Sequence, residues 1–192
     1  VFTRIFGLSF GFGFGGKING AVSHCFPLTF DPNQPCVQGL PGISKVYRDS
    51  LSKVVLSGPT LFTPIIKNAT QVAIHSFQTT HTYTILLILT DGVINDMQET
   101  IDAVVEASDA PLSIIIIGIG TANFDGMEIL DGDNKVLRNS AGQMARRDIV
   151  QFVPFNRYNA NNGAQLAGEV LAEIPMQVHQ FCSTHGFIPP IG

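Results

Sequence analysis

The residue best placed to do chemistry in this sequence is Asp91. It closes the apolar run Ile85-Leu86-Leu87-Ile88-Leu89-Thr90 and is followed by Gly92. In an open α/β sheet, ligands bind beyond the carboxyl ends of the strands, so a carboxylate directly behind a buried strand stands at the binding rim. There it can meet a cation or a helix N-terminus. Asp-Gly is also a turn pair whose carboxylate is readily satisfied by backbone amides, and the residues alone leave both readings open.

Other reactive groups form weaker patterns. Asp125, Asp131 and Asp133 could suggest a Ca²⁺ loop, but the later glutamate of an EF-hand is missing and the Asp-Gly pairs read as solvated turns. Histidines stand at 24, 75, 81, 179 and 185 without ligand spacing. His75 and His81 are expected in an exposed helix-to-strand connection. No Ser-His-Asp set can be argued, and neither Cys25 nor Cys182 has a basic partner nearby in sequence. Gly13, Gly15 and Gly16 resemble a phosphate loop, but Lys17 is followed by Ile18 where Ser or Thr is needed. Gly118-x-Gly120 has no third glycine at the dinucleotide-binding spacing.

The elements that must position Asp91 follow from hydrophobic spacing. Segment 5–14 alternates large and small residues and predicts a strand, and 24–30 predicts a short one. Apolar residues at 43, 46, 47, 51, 54 and 55 have helical spacing, as do those at 62, 65, 66, 69, 72 and 73, with Pro64 in the first turn. Residues 83–89 and 112–119 read as buried strands around a helix lined by Met97, Ile101, Val104, Val105 and Ser108, which Asn95 or Asp96 can cap. Residues 121–147 are polar and Gly- and Asp-rich, with room for at most a short helix. A strand over 149–155 and a helical stripe from Leu166 to Phe181, kinked at Pro175, complete the pattern ahead of the tail Ile188-Pro189-Pro190. Continuous apolar strands alternating with helices predict a mostly parallel α/β sheet with helices on both faces. No repeat or linker divides the chain, so its 192 residues predict a single domain.

Composition narrows the function. The chain is 45% hydrophobic and 14% charged with a net charge of −4, and its only adjacent basic pair is Arg146-Arg147. That excludes nucleic acid as a general partner. The longest apolar runs fall far short of the roughly 20 residues of a membrane-spanning helix, and no cleavable signal peptide is evident. Three cysteines, 25, 36 and 182, form no CxxC pair and predict free thiols in a reducing compartment, where the Asn68-Ala69-Thr70 sequon goes unused.

Leu87-Ile88-Leu89-Thr90-Asp91-Gly92 followed by Val93-Ile94-Asn95-Asp96-Met97 resembles the metal-site strand of von Willebrand factor A domains in the form found in copines. Ser57-Gly58-Pro59-Thr60 resembles the loop carrying their threonine ligand. The resemblance runs on through residues 107–120, Leu130-Asp131-Gly132-Asp133, Arg147–Phe155 and Val170–Pro175. It implies a von Willebrand A/Rossmann-like fold and a binding module rather than an enzyme. It also implies a metal site in which Thr60 and Asp91 are ligands for Mg²⁺, or for Mn²⁺ or Ca²⁺. The family's remaining ligand motif, Asp-x-Ser-x-Ser, occurs nowhere in the sequence and is expected before it, on the first central strand. Metal binding by this chain is therefore expected to be weak or absent, and strand edges are expected to face a gap.

The family further implies intracellular protein partners at the sheet's carboxyl rim. It also implies phospholipid binding through C2 domains outside this chain, and a cytoplasmic protein recruited to the plasma membrane when calcium rises. A copine-like domain of a RING-type ubiquitin ligase is the alternative.

Overall fold

The computed structural model describes residues 2–5, 8–132, 135–158 and 163–187, with side chains from residue 9 onward. The chain order is β1 (Phe2–Ile5), β2 (Leu8–Gly13), β3 (Gly16–Ile18), β4 (Ala21–Ser23), β5 (Phe26–Pro27), β6 (Cys36–Gln38), α1 (Gly39–Ser50), β7 (Val55–Leu56), α2 (Thr63–Thr80) and β8 (Thr84–Thr90). It continues with α3 (Met97–Ala107), β9 (Leu112–Gly118), α4 (Asp125–Asp131), β10 (Val150–Pro154), a short 3-10 turn (Phe155–Arg157), α5 (Gly163–Val170) and α6 (Ile174–Thr184).

The main sheet has seven strands in the order β10-β9-β8-β1-β2-β5, with β6 also on β2. Its parallel part is β8-β9-β10, in which Thr90 stands opposite Gly118 and Gly118 opposite Pro154. The expected α/β sheet with helices is therefore present. Antiparallel strands widen it on the β8 side, and β3, β4 and β7 form a separate three-stranded sheet.

Side-chain alternation splits the parallel strands into two faces. Leu86, Ile88, Ile114, Ile116, Val150 and Phe152 point to one, where they form a core with Ile65, Ile66, Ala69 and Ala73 of α2, Val104 and Ala107 of α3, and Met127 and Leu130 of α4. The opposite face carries α6. There the Tyr83 hydroxyl meets Ser113 at 2.9 Å, and the Tyr83 ring lies edge-on to Phe181 at 5.7 Å. Arg147 stitches this side. Its guanidinium donates to the carbonyls of Ala110 (2.5 Å), Leu112 (2.9 Å) and Gln177 (3.3 Å) and to the Tyr83 hydroxyl (3.0 Å), while lying over the rings of Tyr83 and Phe181.

Several local expectations are corrected. Segment 5–14 is not one strand: β1 and β2 form an antiparallel pair with Ile5 opposite Leu8, so the chain reverses between them. β1 also pairs β8 at Phe2↔Leu87 and Thr3↔Leu86. The β8 edge expected to face a gap is therefore occupied there, in keeping with the cost of unpaired backbone groups at a sheet edge. Only Phe26–Pro27 of segment 24–30 is strand. The helix read from 43 to 55 runs over Gly39–Ser50, and Val55 has become part of β7. α2 extends to Thr80, closing on His81 in the left-handed conformation (φ 53°), so His75 lies inside a helix. Pro175 does not kink a continuous helix. It sits in the first turn of α6, where its missing N–H costs nothing, and α5 ends separately at Val170. No helix follows Lys17, which lies in β3, so the glycine-rich start is not a phosphate loop. Asp133 and Ile188-Pro189-Pro190 fall outside the described residues. Cys25, Cys36 and Cys182 are all unpaired thiols. Among the described residues no helix is long and apolar enough to cross a membrane.

Candidate functional site at the carboxyl rim

Parallel strands end on the same side, so the segments after Thr90, Gly118 and Pro154 share one rim. β2 reaches it too. Two antiparallel steps through β1 make β2 run parallel to β8, which brings the Phe14-Gly15-Gly16 turn after Gly13 to this edge. Gly15 has φ +61°, and a β-carbon there would stand 3.3 Å from the Ser57 carbonyl oxygen. Its own carbonyl accepts from the Ser57 amide at 2.8 Å, so the glycine lets Ser57-Gly58-Pro59-Thr60 dock on the β2 turn. The Gly58–Pro59 peptide bond is cis.

Thr60 and the loop after β8 are tied by a reciprocal pair. The Thr60 amide donates to Asn95 Oδ1 at 2.7 Å, and the Asn95 amide donates to the Thr60 carbonyl at 2.9 Å. The Thr60 hydroxyl then lies 3.7 Å from where a β-carbon on Gly92 would be, next to Asp91. Asp91 itself is exposed, and no hydrogen bond among the described residues engages its carboxylate. Thr90 below it is buried. Its carbonyl accepts from the Ile119 amide at 2.7 Å, which joins the β8 and β9 ends.

Asp96 makes the second tie. Sequence reading offered it as a cap for α3, and it does occupy that N-cap position, but its side chain caps none of that helix's amides. Its two oxygens instead accept the amides of Phe62 (3.0 Å) and Thr63 (2.9 Å) at the start of α2. The residue is only 9% exposed. Burial pushes its carboxyl up, but hydrogen bonds from the Thr63 hydroxyl, the Phe62 and Thr63 amides and the Thr100 hydroxyl outweigh this and hold it below the usual carboxylate range. Asp96 thus fixes where α2 begins, and with it the loop that presents Thr60.

The donor set at the rim is one hydroxyl and one carboxylate, both hard oxygen ligands of the kind Mg²⁺ and Ca²⁺ accept. They make a fragment of a coordination shell. Among the described residues no group of three or more His, Cys, Asp or Glu is arranged to hold a metal. Of the acids read from sequence as solvated turns, Asp125 and Asp131 instead open and close α4, and Asp133 lies outside the described residues. Asp131 also accepts the Phe152 amide at 2.6 Å, pinning α4 to β10.

Sequence reasoning missed a second feature. A cavity of about 440 Å³ opens on this rim at the ends of β9 and β10, with Asn123, Phe124, Asp125, Glu128, Phe152 and Arg157 around it. The only advance signal was an Asn-Phe-Asp-Gly turn after a buried strand, which also describes many plain loops.

The parallel strands, the helices on both faces and the threonine and aspartate loops at one rim define a von Willebrand A-like α/β domain. The family model for copines matches residues 8–190. The chain is 48% identical to Copine-C of Dictyostelium discoideum over 180 residues, covering 93% of this chain and 33% of that protein. It is likewise 48% identical over 181 residues to Copine-A (93% and 30%) and 46% identical over 172 residues to Copine-D (88% and 32%), both from the same organism. This chain belongs to the copine family and spans about a third of the length of these relatives.

Proposed function

We propose that this copine-type A domain is a protein-binding module rather than an enzyme, and that its contact surface is the carboxyl rim around Thr60 and Asp91. The observation that carries the reading is the Thr60–Asn95 pair, which ties the loop carrying Thr60 to the loop that begins at the exposed Asp91. Those two side chains would hold part of the shell of Mg²⁺, Mn²⁺ or Ca²⁺, and the ion would supply an electrophilic point for a partner's carboxylate. In the parent protein the module would recruit intracellular partners to membranes, with C2 domains outside this chain binding anionic phospholipid when calcium rises. That wider role is what membership of the copine family suggests for the parent protein.

Two protein ligands predict a dissociation constant of millimolar or weaker. At an ion concentration equal to that constant, stabilisation is RT ln 2, about 0.4 kcal/mol, so melting should rise by only about 1 °C at constant ionic strength. Paramagnetic Mn²⁺ detects such weak binding. In amide-resolved NMR spectra it should broaden Thr60, Gly92 and Asn95 first, and Asp91→Ala should abolish the effect. Acetyl-aspartyl amide should perturb the same amides only with Mg²⁺ present. Broadening centred elsewhere, or indifferent to Asp91→Ala, would overturn the ion site, and a carboxylate response independent of Mg²⁺ would overturn the proposed mode of binding.

A further inference from the structure

The residues that directly follow the three parallel strands are Asp91, Ile119 and Phe155. Thr90, Gly118 and Pro154 are register partners, so these three stand in a row along the rim. The Ile119 amide donates to the Thr90 carbonyl at 2.7 Å, which carries the ladder one residue past the strands. The Asn156 side-chain amide donates to the Gly120 carbonyl at 3.3 Å and fixes the turn after β10 to the turn after β9. One member of the row is an exposed carboxylate. The other two are large and apolar, each 41% exposed. Leu89 and Val93, two residues before and after Asp91, are exposed as well. Single exposed apolar residues need no explanation, but four gathered at one rim around one carboxylate form a patch.

Spacing decides what such a row can hold. Neighbouring strands lie about 4.8 Å apart, so Ile119 is about 5 Å and Phe155 about 10 Å along the rim from Asp91. An extended peptide rises about 3.3 Å per residue and turns alternate side chains to the same side, so residues two apart stand about 6.7 Å from each other on one face. A peptide running along the rim toward β10, with its carboxylate on an ion held at Asp91, therefore brings the side chain two positions away between Ile119 and Phe155. The side chain one position away points off the surface. A charged side chain set between Ile119 and Phe155 would lose water and gain no partner, whereas an aliphatic or aromatic one would bury apolar area.

We propose that Ile119 and Phe155 determine the specificity of the rim by selecting a protein partner with a large apolar residue two positions from its ion-bound carboxylate. The proposal rests on reading the rim as a carboxylate-binding surface, and it adds the residue that must accompany the carboxylate.

The test is an amide-resolved NMR titration of this chain in millimolar Mg²⁺ with four N-acetyl tripeptide amides: Asp-Gly-Leu, Leu-Gly-Asp, Asp-Gly-Ser and Asp-Leu-Gly. Either Asp-Gly-Leu or Leu-Gly-Asp, according to the direction in which the peptide crosses the rim, should bind about three- to tenfold more tightly than Asp-Gly-Ser. That is what burying about half of a leucine side chain contributes. The same peptide should add shifts at Ile119, Gly120 and Asn156 to those at Thr60, Gly92 and Asn95, and Asp-Leu-Gly should match Asp-Gly-Ser. Ile119→Thr with Phe155→Gln should abolish the leucine gain and keep the Asp-Gly-Ser response at Thr60, Gly92 and Asn95, which also shows that the fold is intact. Equal affinity of the leucine and serine peptides, an equal gain from Asp-Leu-Gly, or a gain that survives the double variant would overturn the proposal and leave the ion site standing. No Mg²⁺-dependent response to any peptide at Thr60, Gly92 and Asn95 would overturn the ion site and the proposal with it.

Discussion

Two aspartates five residues apart should behave in opposite ways when removed. Asp96→Ala leaves the Phe62 and Thr63 amides without their acceptor in a buried setting. Hydrogen bonds to a charged group contribute about 1.5–3 kcal/mol each, and loss of a helix cap costs about 0.5–2 kcal/mol. The terms overlap, so the expected loss is about 3 kcal/mol, or about 6–12 °C in melting temperature for a chain of this size. Asp96→Asn keeps one acceptor oxygen but turns an amino group toward an amide N–H, and should lose about 2 kcal/mol. Asp91→Ala removes an exposed carboxylate without a hydrogen bond and should stay within about 0.5 kcal/mol. Urea unfolding followed by far-UV circular dichroism measures all three. The pH dependence supplies a second readout. Asp96 has a folded-state pKa below its unfolded value, so its contribution is complete above the unfolded pKa of about 3.9 and disappears as pH falls through the folded one. The wild-type chain should lose stability over that acid interval more steeply than Asp96→Ala. A loss below about 1 kcal/mol in Asp96→Ala, or an equal loss in Asp91→Ala, would refute the assignment of Asp96 as the residue that sets the start of α2.

Two further perturbations probe the supports of the rim and of the opposite face. Gly118→Ala puts a methyl 3.0 Å from the Phe124 and Phe152 rings and should cost about 1–3 kcal/mol by overpacking, with chemical shifts moving mainly in Gly118–Asp125 and Phe152. Arg147→Lys replaces a forked donor serving three carbonyls and a phenol by a single ammonium. It should cost about 2 kcal/mol or more and speed hydrogen exchange in α6, and unchanged exchange there would contradict the role given to Arg147.

The parallel strands were legible because burial on both faces leaves an uninterrupted apolar signature. Leu112–Gly118 is almost wholly buried and could hardly be anything else. α2 was legible as far as its apolar spacing ran. Its last turn is held by Phe77 and His81 against Phe187, tertiary contacts that leave no periodic trace. The first fifty residues were read worst. A sequence alternating Phe and Gly satisfies the strand pattern equally well with or without a reversal, and the reversal is set by partners: β1 pairs both β2 and β8. Pro175 was misread for a similar reason. A proline in the first turn of a new helix and one that kinks an old helix look alike until the break at residues 171–173 is seen.

The rim shows where local reading stops. Asp91 was legible from its place behind a buried strand and Thr60 only from motif resemblance, and the residues that hold their loops in place were in plain view but given the wrong task. Asn95 and Asp96 precede α3, and local rules assign such residues to the helix they precede. Both bond instead across 33 to 35 positions to the segment that opens α2. The reason is geometric. In a parallel sheet the helix before a strand starts at the same rim where that strand ends, so the amides opening α2 face the loop leaving β8. Those amides are the orphan donors of a helix end, and a buried helix end needs an acceptor. α2 starts at Thr63 with no side-chain cap of its own, since Phe62 occupies the cap position. A helix that begins on an apolar residue is therefore an unmet demand readable from sequence, and the acidic residues behind the following strand are the place to look for its supply. In this domain that cross-connection joins the two loops carrying Thr60 and Asp91, so the bonds that set the start of α2 also hold together the loops of the proposed site.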